Sequence, residues 1–276
     1  MPTSPGDKGY NAIVADPGRA VLAFDYDGVL APIVGDPELA VAHPPAIAAL
    51  RRVAVRVGTL AVITGRPADV VVRLGRFGDY PELAGLVVFG HYGRERWESR
   101  SGEIVAPPLG PGVAAVRAEV PAVLAGLGVA GEVSVEDKGS AVAVHTRRAP
   151  DPARMFALLR EPLGALADRH GLIVEPGRMV IEMRPPGFDK GSALRAFVAE
   201  RGGSCVAYAG DDLGDLSAFA AVDRMREGGL PGVKICSGSA EVPEVARQAD
   251  IVVDGPAGIA DFLDRLADEL GAETAG

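Results

Sequence analysis

The chain has 276 residues, 48% of them hydrophobic and 24% charged, with a formal net charge of −9. That balance excludes a disordered polymer and gives enough apolar material for one large domain or two smaller ones. With acids in excess and no run of Lys and Arg, it also excludes a nucleic-acid surface, so no nucleic-acid partner is expected.

Residues 1–18 are polar and rich in Gly and Pro, and read as a loose, flexible tail with no apolar core of an export signal. After it, short aliphatic runs alternate with helical patterns. The runs are Val21–Phe24, Thr59–Ile63, Leu86–Phe89, Cys205–Ala209, Val233–Cys236 and Ile251–Val253, each ended by polar residues or glycine. Unbroken apolar runs of this length read as central strands of a parallel sheet. "DKGSALRAFVAERGG" and "GIADFLDRLADEL" carry apolar residues at helical spacing. The alternation predicts a doubly wound, Rossmann-like α/β core. The two cysteines, Cys205 and Cys236, fall inside apolar runs, which predicts buried thiols and suits a reducing cytoplasm. No apolar stretch reaches the roughly eighteen residues that a membrane span needs.

Residues 108–183 break the rhythm and read as an inserted α/β cap built on an antiparallel sheet, leaving 19–107 and 184–276 as the core. "EVSVEDKGSAVAVHTRR" predicts a hairpin turning near Lys138-Gly139, and "LIVEPGRMVIEMRP" a second one turning at Pro176-Gly177. Between them "PARMFALLREPLGALADRHG" is helical, with a break expected at Pro162. Period-two reading puts Val133, Val135, Val142, Val144, Met179, Ile181 and Met183 on apolar faces. The opposite face carries Glu136, Lys138, His145, Arg147, Glu182 and Arg184. Both signs of charge in close order suggest a cap that offers polar contacts to a ligand rather than a merely solvated face.

Four pieces sit at strand ends or helix starts: Asp25-Tyr26-Asp27-Gly28, Thr64-Gly65-Arg66, Lys190 in "FDKGSAL", and Gly210-Asp211-Asp212-Leu213-Gly214-Asp215. Ligands of an open parallel sheet lie outside the carboxyl ends of its strands. Carboxylates crowded there repel one another, a conflict that a divalent cation resolves, and hard oxygen donors suit Mg²⁺. Thr64, Lys190 and helix-terminal N–H groups can hold a phosphate. An aspartate beside phosphate and cation can attack phosphorus, and a second acid two residues on can protonate the leaving oxygen.

The motifs "DYDG", "ITGR", "DKG" and "GDDLGD", in that order, resemble the haloacid dehalogenase superfamily of aspartate-nucleophile phosphatases. Within it, "FGHYGRERW", "VEDKGSAVAVHTR", "VIEMRPPGFDKGSAL" and "GDDLGDLSAF" resemble the trehalose-6-phosphate phosphatase family. The resemblance implies Asp25 as nucleophile and Mg²⁺ ligand, and Asp27 as general acid/base whose carbonyl also meets the metal. It implies Asp211 as a direct ligand supported by Asp212 and Asp215, with Thr64, Gly65 and Lys190 on the phosphoryl group. Sugar contacts are implied for Arg66, His91, Glu136, Lys138, Arg147 and Glu182. The family has an acid after the last aspartate of the fourth motif, where this chain has Leu216. The expected activity is therefore Mg²⁺-dependent hydrolysis of trehalose 6-phosphate by a cytoplasmic monomer. A related disaccharide or pseudodisaccharide phosphate is the alternative substrate, and a phosphosugar mutase the alternative reaction. A receiver-type signalling domain gathers similar groups, but its phosphorylated aspartate follows a middle strand in a chain about half as long.

Overall fold

The computed structural model describes residues 4–177, 179–238 and 243–273. In chain order the elements are α1 (Pro5–Ala15), β1 (Ala20–Phe24), α2 (Pro44–Ala54), β2 (Thr59–Ile63), α3 (Ala68–Gly75), β3 (Val87–Gly90), β4 (Glu95–Glu98) and β5 (Ile104–Val105). Then come α4 (Pro111–Gly126), β6 (Ser134–Asp137), β7 (Val142–His145), α5 (Pro152–Arg169), β8 (Ile173–Gly177) and β9 (Val180–Arg184). The chain finishes with α6 (Lys190–Arg201), β10 (Cys205–Gly210), α7 (Leu216–Glu227), β11 (Gly232–Ser237), α8 (Pro243–Gln248), β12 (Ile251–Val253) and α9 (Gly255–Glu273). Two compact units result: Pro107–Phe188, and the chain on either side of it.

In the larger unit the described strands form one sheet in the order β12-β11-β10-β1-β2-β3-β4-β5. The six strands β12 to β3 run parallel, and β4 and β5 extend the sheet antiparallel. β1 and β10 are buried along their whole length because apolar clusters cover both faces. One cluster holds Leu22, Phe24, Val62, Leu263 and Leu266; the other holds Val21, Ile63, Phe197, Phe219 and Val222. This is why those strands read as continuous aliphatic runs rather than as alternating ones. Cys205 and Cys236 are free, buried thiols on β10 and β11.

The stretch expected as a loose tail is corrected: over its described part it forms α1. Ser4 caps the helix and exchanges hydrogen bonds with Asp7 in a capping box, and Pro5 occupies the first turn. Ile13 is fully buried, and Tyr10 packs edge-on against Phe262. Gly9 lies so close to β11 that a Cβ there would stand 2.0 Å from the Gly232 carbonyl oxygen. The glycines that suggested disorder are what let the helix approach the sheet.

In the smaller unit the strands run antiparallel in the order β6-β7-β9-β8. Val142, Val144, Ile181 and Met183 are buried against Val116, Val120, Leu159 and Leu163 of α4 and α5. The expected break at Pro162 is absent, and α5 runs on through it. A mid-helix proline loses a hydrogen bond and crowds the preceding turn, at a cost of ~3 kcal/mol. Buried Met155, Leu159, Leu163, Leu166 and Ala167 supply the packing that offsets it. α4, also carrying an internal proline, Pro121, was not expected, although Val113, Val116, Val120 and Leu124 recur at helical spacing. The second hairpin turns later than Pro176-Gly177: Gly177 still pairs with Val180, and Met179 has φ +58°. Arg178 lies outside the described residues.

Candidate active site

Asp25 is the residue after β1, and its N–H donates to the Ala209 carbonyl of β10 at 2.8 Å. Both carboxylate oxygens are engaged: Oδ1 accepts from the Tyr26 N–H at 2.7 Å, and Oδ2 meets Lys190 Nζ at 2.7 Å. Lys190 begins α6 behind the cap residue Asp189, and its ammonium also lies 2.7 Å from Asp215 Oδ1. Asp25, Lys190 and Asp215 are all buried. Burial opposes the charge on Lys190, but Asp215 and Asp25 outweigh it and lift its pKa well above the ordinary lysine value.

Asp215 is the most heavily bonded of the acids. Its Oδ1 accepts from Lys190 and from the Tyr208 hydroxyl at 2.6 Å, and its Oδ2 from the N–H groups of Asp211 and Asp212 at 2.9 and 3.1 Å. Asp215 therefore braces the loop that presents Asp211 and Asp212. Carboxylate oxygens of Asp25, Asp212 and Asp215 lie within 4.8 Å of one another. Asp211 joins them from the far side of Gly28: a Cβ on that glycine would stand 2.2 Å from Asp211 Oδ2, and Gly28 has φ +70°. Only glycine satisfies both conditions.

Burial first, then repulsion from Asp25, Asp215 and Asp212, pushes the Asp211 carboxyl up to about 9. Asp212 keeps an exposed edge at the rim of the group, yet desolvation by the surrounding protein, then Asp215 and despite Lys190, raises it to about 6, and burial raises Asp25 well above the carboxylate range. A divalent cation fits these residues. The donors are all hard oxygens, and their crowding is relieved by added positive charge. Carboxylate oxygens of Asp25, Asp212 and Asp215 lie close enough together to share it, and Asp211 stands beside them across Gly28.

Asp27 is half-buried, and its carboxylate takes both arms of Arg66, Nε to Oδ2 at 2.6 Å and a terminal nitrogen to Oδ1 at 2.7 Å. The bidentate geometry fixes the carboxyl in direction as well as charge. Thr64, at the end of β2, is buried and accepts from the Arg66 N–H at 3.2 Å. The adjoining turn holds the Thr64-Gly65-Arg66 loop from below. His91 N–H donates to the Arg66 carbonyl at 2.9 Å and Tyr92 N–H to the Thr64 carbonyl at 2.8 Å. His91 and Tyr92 both have positive φ, and Gly65 leaves the space that the Tyr92 ring fills. The His91 ring is buried, with Nε2 3.6 Å from Glu95 Oε1. Asp25, Thr64, Lys190, Asp211, Asp212 and Asp215 thus meet at one end of the sheet, with Asp27 and Arg66 beside them as a pair.

The cap, taken by itself, keeps its polar face. One rung aligns Glu136, Ala143, Glu182 and Glu175. Glu136 bonds His145 at 2.7 Å, Lys138 bonds Glu182 at 2.5 Å, and Glu175 pairs with Arg184. Glu182 is buried, and its Oε1 makes no hydrogen bond. Arg147 stands exposed in a turn beyond the end of β7.

A family model for trehalose-phosphatase matches residues 23–256. The chain belongs to the trehalose-phosphatase family. It is 36% identical over 258 residues to a trehalose-phosphate phosphatase of Mycolicibacterium paratuberculosis, and 34% over 273 residues to that of Mycobacterium tuberculosis. These alignments cover 90% and 91% of the chain but 62% of each relative, so the chain spans under two thirds of the length of the curated relatives it matches. The C-terminal domain of Candida albicans trehalose-6-phosphate phosphatase superposes with a TM-score of 0.76 at 19% identity, covering 94% of this chain and 95% of that one. A trehalose-6-phosphate phosphatase related protein superposes at 0.70 and 23%, covering 92% and 99%. A haloacid dehalogenase-like hydrolase from Bacteroides thetaiotaomicron gives 0.60 and 17%, covering 90% and 99%. These likenesses show the trehalose-phosphatase fold, a parallel α/β core with a separate antiparallel unit. Among the described residues no helix is long and apolar enough to cross a membrane.

Sequence motifs did not reveal two participants. Tyr208 was hidden inside an apolar strand, although a lone hydroxyl two residues before Gly210-Asp211 was a legible signal. Ser237, whose hydroxyl reaches the Gly28 carbonyl at 2.6 Å, carried none. Arg66, expected on the sugar, pairs with Asp27 through both arms of its guanidinium.

Proposed function

We propose that the protein is a Mg²⁺-dependent phosphatase that hydrolyses trehalose 6-phosphate through an aspartyl-phosphate, acting as a cytoplasmic monomer. The observation that carries this reading is the buried Lys190–Asp25 pair at 2.7 Å, set among acids whose pKa values are raised by burial first and by crowding second. Membership of the trehalose-phosphatase family supports the sugar.

In the first half-reaction an Asp25 oxygen attacks phosphorus and the bond from phosphorus to the sugar oxygen breaks. Asp27 gives its proton to that oxygen. In the second, Asp27 takes a proton from water, whose oxygen attacks phosphorus and frees Asp25. Lys190 and Thr64 hold the phosphoryl oxygens, and Arg66 steers the Asp27 carboxyl. The bidentate Arg66 pair is the arrangement of a carboxylate, the form that accepts the water proton. In the first half Asp27 carries a proton and gives up part of that contact. Asp25, Asp211 and the Asp27 carbonyl, supported by Asp212 and Asp215, would hold Mg²⁺, which would supply positive charge to the transferring group. In the cap, the unpartnered Oε1 of Glu182 and the charges of Glu136, Lys138 and Arg147 read the sugar hydroxyls.

Phosphate release from trehalose 6-phosphate, sucrose 6-phosphate, glucose 6-phosphate and p-nitrophenyl phosphate tests the substrate. Trehalose 6-phosphate should have the highest kcat/KM. Glu182→Ala should raise its KM by about tenfold or more, one to two lost hydrogen bonds to a charged group, and leave p-nitrophenyl phosphate within about twofold. Equal changes for both would remove the cap from sugar recognition.

The raised carboxyl pKa values give a pH signature with a definite sign. In the cation-free protein the fold holds protons that the unfolded chain has released above about pH 4. Its stability therefore falls as pH rises through about 6 and on to about 9. Mg²⁺ takes the place of those protons, so the gain in Tm from MgCl₂ should be near zero at pH 5 and reach a few degrees, of order ΔΔG/ΔS, by pH 8.5. An equal gain at both pH values would contradict cation binding at these acids.

A further inference from the structure

We infer that Ser237 is a positioning residue for proton transfer by Asp27, acting through the Gly28 peptide. The inference rests on the phosphatase reading above and adds a member to it from a strand that carries none of the four motifs.

Ser237 is the last residue of β11, and β11 reaches β1 only across β10. Its side chain is buried, and its hydroxyl donates to the carbonyl oxygen of Gly28 at 2.6 Å. Gly28 follows the acid Asp27 directly. Its N–H donates to the Ala31 carbonyl at 2.7 Å, and Asp27 and Ala31 form an isolated parallel bridge. The positive φ of Gly28 and the Asp211 carboxylate packed against its Cα leave this peptide little freedom. The backbone beside the acid is thus gripped at both its N–H and its C=O, and Ser237 makes the second grip.

The grip has a catalytic consequence because Asp27 must serve two partners in turn. Its side chain gives a proton to the leaving oxygen and takes one from water, and it exchanges contacts with Arg66 while doing so. A side chain that re-aims within a fraction of an ångström needs a backbone that stays still. Without the Ser237 hydroxyl, the Gly28 carbonyl loses a buried partner and the peptide can rotate to seek another. The nucleophile is affected less, since Asp25 is held separately by Ala209, Tyr26 and Lys190.

The expected lesion is selective. A good leaving group departs without a proton, whereas a sugar or phenol oxygen needs one. kcat/KM reports the steps up to the first phosphoryl transfer, so later hydrolysis does not mask the effect. Phenyl phosphate and p-nitrophenyl phosphate differ in leaving-group acidity and carry no sugar, which removes the cap from the comparison. Ser237→Ala should lower kcat/KM by about tenfold for phenyl phosphate and trehalose 6-phosphate, and by less than about twofold for p-nitrophenyl phosphate. Ser237→Thr and Ser237→Val have the same shape and differ in the hydroxyl, so Thr should keep the wild-type ratio between the two aryl substrates and Val should lose it. Loss on all substrates alike, or Val matching Thr, overturns the inference. Asp27→Asn is the reference: if it treats the two aryl phosphates equally, the acid assignment itself fails, and Ser237 with it. If Asp27→Asn discriminates and Ser237→Ala does not, only the Ser237 role fails.

Discussion

Asp25→Asn should release no measurable phosphate, with kcat/KM lower by about 10⁴-fold or more, while the protein stays folded. Asparagine has the shape of aspartate but lacks the anion that attacks phosphorus, so the first half-reaction has no nucleophile. Two side predictions separate this from damage to the fold. In the absence of a cation the variant should melt no lower than the wild type. Asp25 is buried among other acids, and its carboxyl is already pushed well above the usual range. A neutral amide there relieves the repulsion among the acids, and Lys190 keeps Asp215 as its partner at 2.7 Å. The gain in Tm on adding MgCl₂ should shrink, because one carboxylate of the acidic group is gone. Phosphate release at even one hundredth of the wild-type rate would rule out Asp25 as the nucleophile.

Lys190→Met should both destabilise and inactivate the protein. The ammonium lies 2.7 Å from each of two buried carboxylates, Asp25 and Asp215. Methionine fills much of the same volume but leaves those acids without their cation. Removing one partner of a buried ion pair costs ~3–5 kcal/mol, far more than the net worth of the pair itself. The lysine pKa is raised above its unfolded value, so the stabilisation is fully present at every pH below about 10. Urea unfolding should therefore show the loss throughout pH 6–9. Mg²⁺ should restore part of the stability, since it supplies charge to the same acids, but not activity, since in the proposed mechanism Lys190 also holds the phosphoryl group. A change under about 1 kcal/mol would mean that water reaches these carboxylates and screens them.

The parallel core was legible because a strand covered on both faces has to be apolar throughout, and the runs at Val21–Phe24 and Cys205–Ala209 had little else to become. The Ile251–Val253 run was equally clear. β4 was not, since "ERWE" alternates charge with one buried Trp97 and has no aliphatic run. α1 was misread because composition alone does not show that Gly9 is required by the closeness of β11. Pro162 was misread because local geometry predicts a break that the burial of one helix face overrides.

The site shows the same division. Asp25, Thr64, Lys190 and Asp211 announce themselves as polar residues at the ends of apolar runs. The pairing of residues is another matter. Arg66 meets Asp27, Tyr208 meets Asp215 and Ser237 meets Gly28 only after the strands are in order, and no local pattern holds that order. Alternation did find the cap's polar face, because a two-residue period is local, and it stopped at Arg147, where the strand ends at His145.

The strand order also constrains how the protein comes into being. β1 takes β2 as one neighbour early, but its other neighbour is β10, with Ala20 opposite Cys205. Until the ribosome has made β10, the strand that leads into Asp25 has a bare, apolar edge. The emerging chain must be kept from pairing that edge with something else while the whole cap is translated. Asp25 and Asp27 are made before the smaller unit, and Lys190, Asp211, Asp212 and Asp215 after it, so a chain stopped between the two holds the first pair of acids without the groups that surround them in the fold.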